Sequence, residues 1–376
     1  MDLTYTDEQE LLARSARQLL EQVSTSEEVR RAEQTPDGYP DKTWATAAEL
    51  GWPGIALPAE WGGAGQGVLE LAVLAEELGR AACTLPLLPS FAFGAVPLLA
   101  AGRAEQRARW LAGLAAGEVI AALAAAEPGG VDERDRPTLV ATPSAGGGWR
   151  LSGTKLLVRF GHRAHLLLVT ALVDGEPTVF AVDAGQSGVT AQRHRTLGPE
   201  PLAAVHLDDV AVGADDVVGE PGGGVAVVDR ALDHASVLDA AYAVGVCDRA
   251  LALAVEHTSQ REQFGRPVGS YQAVAHRCVD MRTDIDAARV LVQQAAWRLD
   301  RWDDDPVAAA RAVAIAGAYA REAAQRVVVH AHQVHGAIGF SSEYDLQLLT
   351  RRAKAFELSG GVAAHHRERV AVSLGL

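Results

Sequence analysis

The hydrophobic pattern of this chain changes its period twice, and no other feature of the sequence constrains the fold more. Between residues 149 and 212 the apolar residues alternate in short runs, bounded by turn sequences such as DGEP at 174–177, as is typical of strands. Before about residue 119 and after residue 225, apolar residues recur instead at the helical spacing of i, i+3, i+4. The sequence therefore predicts an α+β chain in the order helices, β domain, helices.

These changes divide the chain into three predicted domains. We expect an N-terminal helical domain over 1–118, a middle β domain over 119–218 and a C-terminal bundle over 225–376. Short, closely spaced strands favour a small antiparallel sandwich or barrel for the middle domain. The bundle is predicted to be a four-helix bundle, with long Ala-rich helices at 225–258, 271–300, 306–334 and 343–373.

Local signals place the helices of the N-terminal domain. Thr6 and Gln9 form a capping box ahead of a helix, and another helix is predicted over 104–116. No charged residue lies between Arg80 and Arg103, but prolines and a glycine interrupt this stretch. We therefore interpret it as buried protein and expect no membrane insertion.

Charge and cysteine content exclude several classes of protein. The formal net charge is -14, whereas a nucleic-acid binder needs a basic surface, so no nucleic-acid partner is expected. The three cysteines contain no CxxC pair and cannot form a disulfide framework. With an acidic N-terminus that lacks an export signal, these features predict a cytoplasmic protein.

Histidines near the C-terminus could suggest a metal site. His330, His332 and His335 are close in sequence, but only the last two share a helical face, and no carboxylate matches them. We expect no metal there. His365 and His366 are adjacent and are predicted to lie at the surface.

Five motifs occur in the same order as in a known family. They are LPAEWGGAGQG (57–67), AAAEPGG (124–130), WRLSGTKLLV (149–158), REQFGRPVGSYQAV (261–274) and QVHGAIGFSSEY (333–344). Together with the domain order, they resemble the acyl-CoA dehydrogenase family of flavoproteins over nearly the whole chain. The GGAGQG run at 62–67 imitates a dinucleotide fingerprint, but no βαβ unit surrounds it.

The resemblance implies both a fold and a chemistry. Members of this family bind FAD between subunits and oxidise the α,β bond of an acyl-CoA, with an electron-transfer flavoprotein as the expected acceptor. A carboxylate base removes the α-proton while a hydride passes from the β-carbon to the flavin. Hydrogen bonds to the acyl carbonyl acidify that proton.

The chain departs from the family at the base. In RRAKAFELSGG (351–361), the family's glutamate position is occupied by Gly360. The alternative base position, on the first long helix of the bundle, is Ala235. Asp239 and Glu357 each lie about one turn from these positions and are the candidates for a relocated base.

The two sides of the cofactor site are affected differently. The positions that pack against the flavin ring in the family are altered, to Ala126, Leu157, Arg159 and Val362. The residues that reach a neighbouring subunit's FAD match the family pattern, and these are Arg261, Phe264, Gln333, Val334 and Gly336. The resemblance assigns Arg261 to the pyrophosphate, because the planar guanidinium gives paired, charge-assisted hydrogen bonds.

This asymmetry resembles the base-lacking subunit of actinobacterial α2β2 acyl-CoA dehydrogenases known from steroid side-chain degradation. The chain is then expected to share FAD with a homologous partner that carries the catalytic glutamate. Two alternatives stay open. One is an independent homotetrameric dehydrogenase of acyl-CoA or carrier-bound acyl chains with a relocated base, and the other is a structural paralogue that binds no flavin.

Overall fold

A computed structural model describes residues 4–130 and 136–376 of the chain. The N-terminal part is helical, with α1 (Asp7–Val23), α2 (Ser26–Gln34), α3 (Asp41–Glu49), α4 (Val68–Arg80), α5 (Leu87–Ser90), α6 (Val96–Ala101) and α7 (Ala104–Ala116). The predicted capping box at the start of α1 is confirmed: the Gln9 N–H donates to the Thr6 hydroxyl at 3.2 Å, and Gln9 accepts in return from the Thr6 N–H.

The uncharged stretch after α4 is buried, as the sequence indicates. Residues 87–101 form one helical segment, in which a π-turn at Phe91–Ala95 joins α5 to α6. Phe93 and Leu98 are fully enclosed in the main core. Within the described ranges, no helix is both long and apolar enough to cross a bilayer.

The middle part contains two sheets. Its strands are β1 (Ala121–Ala124), β2 (Thr142–Pro143), β3 (Trp149–Arg159), β4 (Leu166–Val173), β5 (Glu176–Asp183), β6 (Val189–His194) and β7 (Leu202–Val212). One sheet has the order β1-β4-β5 and the other β2-β3-β7-β6. Their facing sides enclose a second core that includes Leu151, Val169, Phe180 and Val205.

The prediction of a purely antiparallel β domain was wrong at β1. The four-stranded sheet is antiparallel throughout, but β1 pairs parallel to β4, with Ala121 opposite Leu166. β1 could not be recognised from the sequence pattern, because its four residues, AALA, are all buried and therefore show no alternation.

The C-terminal part is built on a helix of 37 residues. It contains α8 (Gly224–Gln260), the hairpin strands β8 (Glu262–Gln263) and β9 (Arg266–Pro267), α9 (Gln272–Leu299), α10 (Pro306–His335), α11 (Leu346–Leu358) and α12 (Ala363–Ser373). α8 packs directly on α4, since a Cβ at Gly245 would lie 1.8 Å from the carbonyl oxygen of Glu76. The long helix therefore connects the first helical layer to the bundle.

The last predicted helix of the bundle is two helices. The prediction of one helix over 343–373 was wrong, because the chain breaks between α11 and α12 at Gly360 and Gly361. Both glycines have positive φ, +59° and +84°, which ends a right-handed helix. This break places residues 359–362 beside α8 and the β domain.

Candidate active site and cofactor-binding surface

A cavity of about 490 Å³ lies where the three parts of the chain meet. Its walls come from the loop after α4, the end of β3, the middle of α8 and the break between α11 and α12. Most of the lining is apolar, including Leu78, Leu88 and Phe356. A mostly apolar cavity with a few converging polar groups is typical of a small-molecule site.

Five of the positions singled out from the sequence meet at this cavity, two of them at the break between α11 and α12. Leu157, Arg159, Asp239, Gly360 and Val362 all line it, although they are far apart in sequence. They therefore form one site, as the resemblance implies.

Three other predicted positions lie elsewhere. Ala235 and Ala126 are buried in the protein interior and are not part of the cavity lining. Glu357 also lies outside the lining, and its carboxylate accepts from Lys354 Nζ at 2.9 Å.

Arg159 binds both carboxylates of the cavity lining. Its terminal nitrogens donate to the two oxygens of Asp239, each at 2.9 Å. The same guanidinium contacts Glu200, with Nη2 donating to Oε1 at 2.8 Å and Nε lying 2.6 Å from Oε2. Within the described part of the chain, no other carboxylate lines the cavity, so none is left free to remove a proton.

The charge state of this arginine is fixed by its neighbours. Burial acts to lower the pKa of Arg159, but the charges and hydrogen bonds of Asp239 and Glu200 outweigh burial and raise that pKa above its usual value. The guanidinium therefore stays charged at every working pH. Glu200 was not singled out in the sequence, where nothing distinguishes it from a solvated loop residue.

A second polar group of the cavity was also missed by sequence reasoning. The Tyr242 hydroxyl accepts from Arg352 Nε at 3.0 Å, and Arg352 is neutralised by Glu33 at 3.0 Å. Burial raises the pKa of Tyr242 above its usual value and that of the Cys83 thiol to about 11. A thiol with such a pKa is protonated and a poor nucleophile.

The predicted cofactor-contacting residues lie at the other end of α8. Arg261 follows the last residue of α8, and Gln333 and Val334 lie in the last turn of α10. The two helix ends are neighbours, because the rings of His257 and His335 stack with centroids 4.8 Å apart. The structure thus brings these sequence-distant residues to one surface.

The residues of this surface are available for a ligand. Phe264 is 92% exposed at the tip of the hairpin, and Gln333 and Gly336 are exposed as well. Arg261 forms no ion pair with any residue in the ranges 4–130 and 136–376. Val334 is partly buried against the core and supports the exposed residues.

The cavity and this surface are too far apart to act on one cofactor within one chain. Asp239 and Arg261 are separated by 22 positions of the same helix, or about 33 Å at 1.5 Å per residue.

The histidines near the C-terminus do not form a metal site. His332 contacts the Thr350 hydroxyl at 2.8 Å and stacks on Phe340, while His335 stacks on His257. In the described residues, no group of three or more His, Cys, Asp or Glu side chains is arranged to hold a metal ion. The prediction of a surface position was wrong for His366, which is fully buried against Gly317.

Comparison with known families identifies the fold. Residues 6–118 match the acyl-CoA dehydrogenase N-terminal domain, and residues 222–375 match the acyl-CoA dehydrogenase C-terminal domain. The chain belongs to the acyl-CoA dehydrogenase family. This membership confirms the predicted family and the predicted order of helical domain, β sheets and helical domain.

Several relatives of this acyl-CoA dehydrogenase family member are similar over most of its length. A probable acyl-CoA dehydrogenase of Bacillus subtilis, YngJ, is 30% identical over 89% of this chain and 90% of its own. The ChsE4-ChsE5 complex of Mycobacterium tuberculosis contains a chain with a TM-score of 0.90 and 30% identity, covering 100% of this chain and 99% of that one. A variant of the Tcur3481-Tcur3483 "steroid ACAD" has a TM-score of 0.87 and 32% identity, with 98% of each chain covered.

The residues present fit the family's FAD at one site and not at the other. At the α8 and α10 ends, Arg261, which has no ion-pair partner among the described residues, and the exposed amide of Gln333 suit the charged pyrophosphate of a dinucleotide. In the cavity, Arg159 and its two carboxylates occupy the wall that the resemblance assigns to the uncharged flavin ring.

Proposed function

We propose that this chain is a subunit of a heteromeric FAD-dependent acyl-CoA dehydrogenase, that it lacks a catalytic base, and that it completes the FAD site of a homologous partner. One observation carries the proposal. Asp239 and Glu200 are both bound to Arg159 inside the chain's own cavity, whereas Arg261 at the far end of α8 has no ion-pair partner in the described ranges.

The chemistry of the complex follows from the family. α,β-Desaturation of an acyl-CoA needs a base within hydrogen-bond reach of the α-proton, and FAD, when bound, supplies the hydride acceptor. We assign the base to the partner. In this chain, Arg261 would hold the pyrophosphate by charge-assisted hydrogen bonds. Gln333 and the backbone at Gly336 would bind beside it, and Phe264 would pack against the cofactor or the partner.

We also propose a substrate class and an electron acceptor for the complex. The ChsE4-ChsE5 relative is a complex of two proteins, and the Tcur3481-Tcur3483 relative is described as a steroid ACAD. We therefore propose the CoA thioester of a steroid side chain as the substrate class. The proposed electron acceptor is an electron-transfer flavoprotein, as the family resemblance implies.

Co-expression with a homologous acyl-CoA dehydrogenase tests the proposal. The partner should carry a glutamate at the position that matches Gly360 or Ala235. The two proteins should co-purify and bind about one FAD per two chains, as expected when two different subunits complete each site. The chain expressed alone should contain little flavin and show no turnover with an artificial electron acceptor.

Two results would contradict the proposal. A yellow homotetramer with about one FAD per chain, active without a partner, would establish an independent enzyme with a relocated base. Absence of absorbance near 450 nm after reconstitution, alone and with every homologous partner, would establish a paralogue that binds no flavin.

A further inference from the structure

The charged cluster of Arg159, Glu200 and Asp239 joins three separate parts of the chain. Arg159 is the last residue of β3, Glu200 lies in the loop before β7, and Asp239 is on α8. Four contacts of 2.6–2.9 Å connect the guanidinium to both carboxylates. The cluster therefore crosses one wall of the cavity from the β domain to the bundle.

The cluster is largely removed from water. The side chains of Arg159, Asp239 and Glu200 are 13%, 16% and 25% exposed. The Arg159 guanidinium also lies 5.7 Å from the ring centre of Phe93, which closes the space behind it. Separating these charges inside the protein is unfavourable, because each carboxylate would lose its contact with Arg159 while still mostly shielded from water.

We infer that this cluster excludes flavin from the chain's own cavity. The cavity is therefore blocked by charge, and does not merely lack residues that contact the flavin ring favourably. The inference rests on the proposed function and deepens it. An uncharged ring system that entered the cavity at this wall would have to displace the guanidinium. It could not replace the positive charge between two carboxylates that are mostly shielded from water.

The block is distinct from the loss of favourable ring contacts. Leu157 and Val362 also line the cavity, and their side chains are 38% and 48% exposed. If weak contacts alone kept flavin out, larger or hydroxyl-bearing residues at these two positions would restore binding. If the cluster keeps it out, those changes achieve nothing until the charges are removed.

A combination of variants separates the two explanations. The contact variant is Leu157→Trp with Val362→Thr, and the charge variant is Arg159→Thr with Glu200→Gln and Asp239→Asn. The contact variant, the charge variant and a combined variant with both sets of substitutions are each prepared as the complex with the partner. After reconstitution with FAD, absorbance near 450 nm gives the flavin content, and circular dichroism verifies the fold.

The wild-type complex and the contact variant should hold about one FAD per two chains, and the combined variant should hold about twice as much. Arg159→Lys in the contact background keeps the charge and should still exclude flavin. Doubled flavin in the contact variant alone, or unchanged flavin in a folded combined variant, would overturn the inference.

The inference can still be tested if a variant does not fold or if no complex forms. If the charge variant does not fold, Arg159→Thr with Asp239→Asn replaces it, because Glu200 is the most exposed member of the cluster. If no complex forms, the proposed function fails, and the same variants of the isolated chain, titrated with FAD, still decide the inference. A wild-type isolated chain that binds no FAD and a combined variant that binds it would support exclusion, whereas equal binding would refute it.

Discussion

Arg321 holds the backbone at Gly360, the position that the resemblance assigns to the family's catalytic glutamate. The Nη2 atom of this buried arginine donates to the carbonyl oxygen of Ser359 at 2.8 Å and lies 3.4 Å from that of Gly360. A Cβ at position 360 would lie 3.1 Å from the same nitrogen. The loop is therefore built around a glycine, and a larger residue at position 360 would have to displace its contacts.

Restoring the glutamate should not restore activity. Gly360→Glu places a Cβ on a residue with φ +59°, and this left-handed conformation costs a non-glycine residue about 1–2 kcal/mol. It also brings a carboxylate to Arg321, which would bind it. We expect a lower melting temperature and no acyl-CoA dehydrogenase turnover in the isolated variant.

Gly146→Glu is the matched control, because a Cβ there meets nothing within 4 Å and the backbone needs no positive φ. It should melt close to wild type. Measurable desaturation of an acyl-CoA by Gly360→Glu alone would contradict our account of the cavity.

The two candidate bases should affect stability differently without affecting catalysis. Asp239→Asn weakens the contact with Arg159 and should cost about 2–3 kcal/mol, as for a buried hydrogen bond between charged groups. Glu357→Gln removes a pair with the exposed Lys354 and should change stability by less than about 1 kcal/mol.

Steady-state kinetics of the assembled complex is the decisive measurement. Both variants should stay within a few-fold of wild type, whereas loss of a true base lowers the rate by about 10²–10⁴. A thousand-fold loss in either variant would favour the independent enzyme with a relocated base.

Arg261→Ala should weaken the binding of FAD to the complex. A charge-assisted hydrogen bond contributes about 1.5–3 kcal/mol, equivalent to roughly a 10- to 150-fold rise in the dissociation constant. Equilibrium dialysis or flavin fluorescence measures this rise.

The control for this variant is Arg14→Ala, an exposed arginine on α1, which should leave FAD affinity unchanged. Equal flavin retention in the two variants would remove Arg261 from the cofactor site.

Local features of the fold were predictable from sequence and long-range contacts were not. The capping box at Thr6 and the helix over 104–116 depend on neighbours within a few residues, so their patterns are visible in the chain. The partners of Arg159 lie 41 and 80 positions away in the sequence, and only the tertiary fold brings them together.

The prediction of a single last helix was wrong for a different reason, which lies at Gly360 and Gly361. Ala-rich periodicity on both sides suggested one helix over 343–373, and a pair of glycines is compatible with a weak helix as well as with a break. Tertiary contacts at the break, from Arg321 and from the buried His366, decide between the two.

Unfolding should become more favourable in acid because of His366. Burial, the charges of Arg321 and Arg369 and the neighbouring His365 lower its pKa from 6.5 to about 3, although a contact with the Gly360 carbonyl at 3.1 Å opposes this. The unfolded chain protonates this histidine below about pH 6.5 and the folded chain does not until about pH 3. Between these values the unfolded state binds more protons, so the stability from this group is present above pH 6.5 and is lost as the pH falls.

Urea unfolding at pH 7.5 and pH 5.0 measures this loss. At pH 5.0 a histidine kept neutral in this way destabilises the fold by about 2 kcal/mol relative to pH 7.5. His366→Asn keeps a donor near Gly360 but cannot titrate, so the difference between the two pH values should shrink by about that amount. His194→Asn, at an exposed position on β6, should leave the difference unchanged. An unaltered pH dependence in His366→Asn would contradict the prediction, because it would mean that His366 is protonated in the folded chain at pH 5.0.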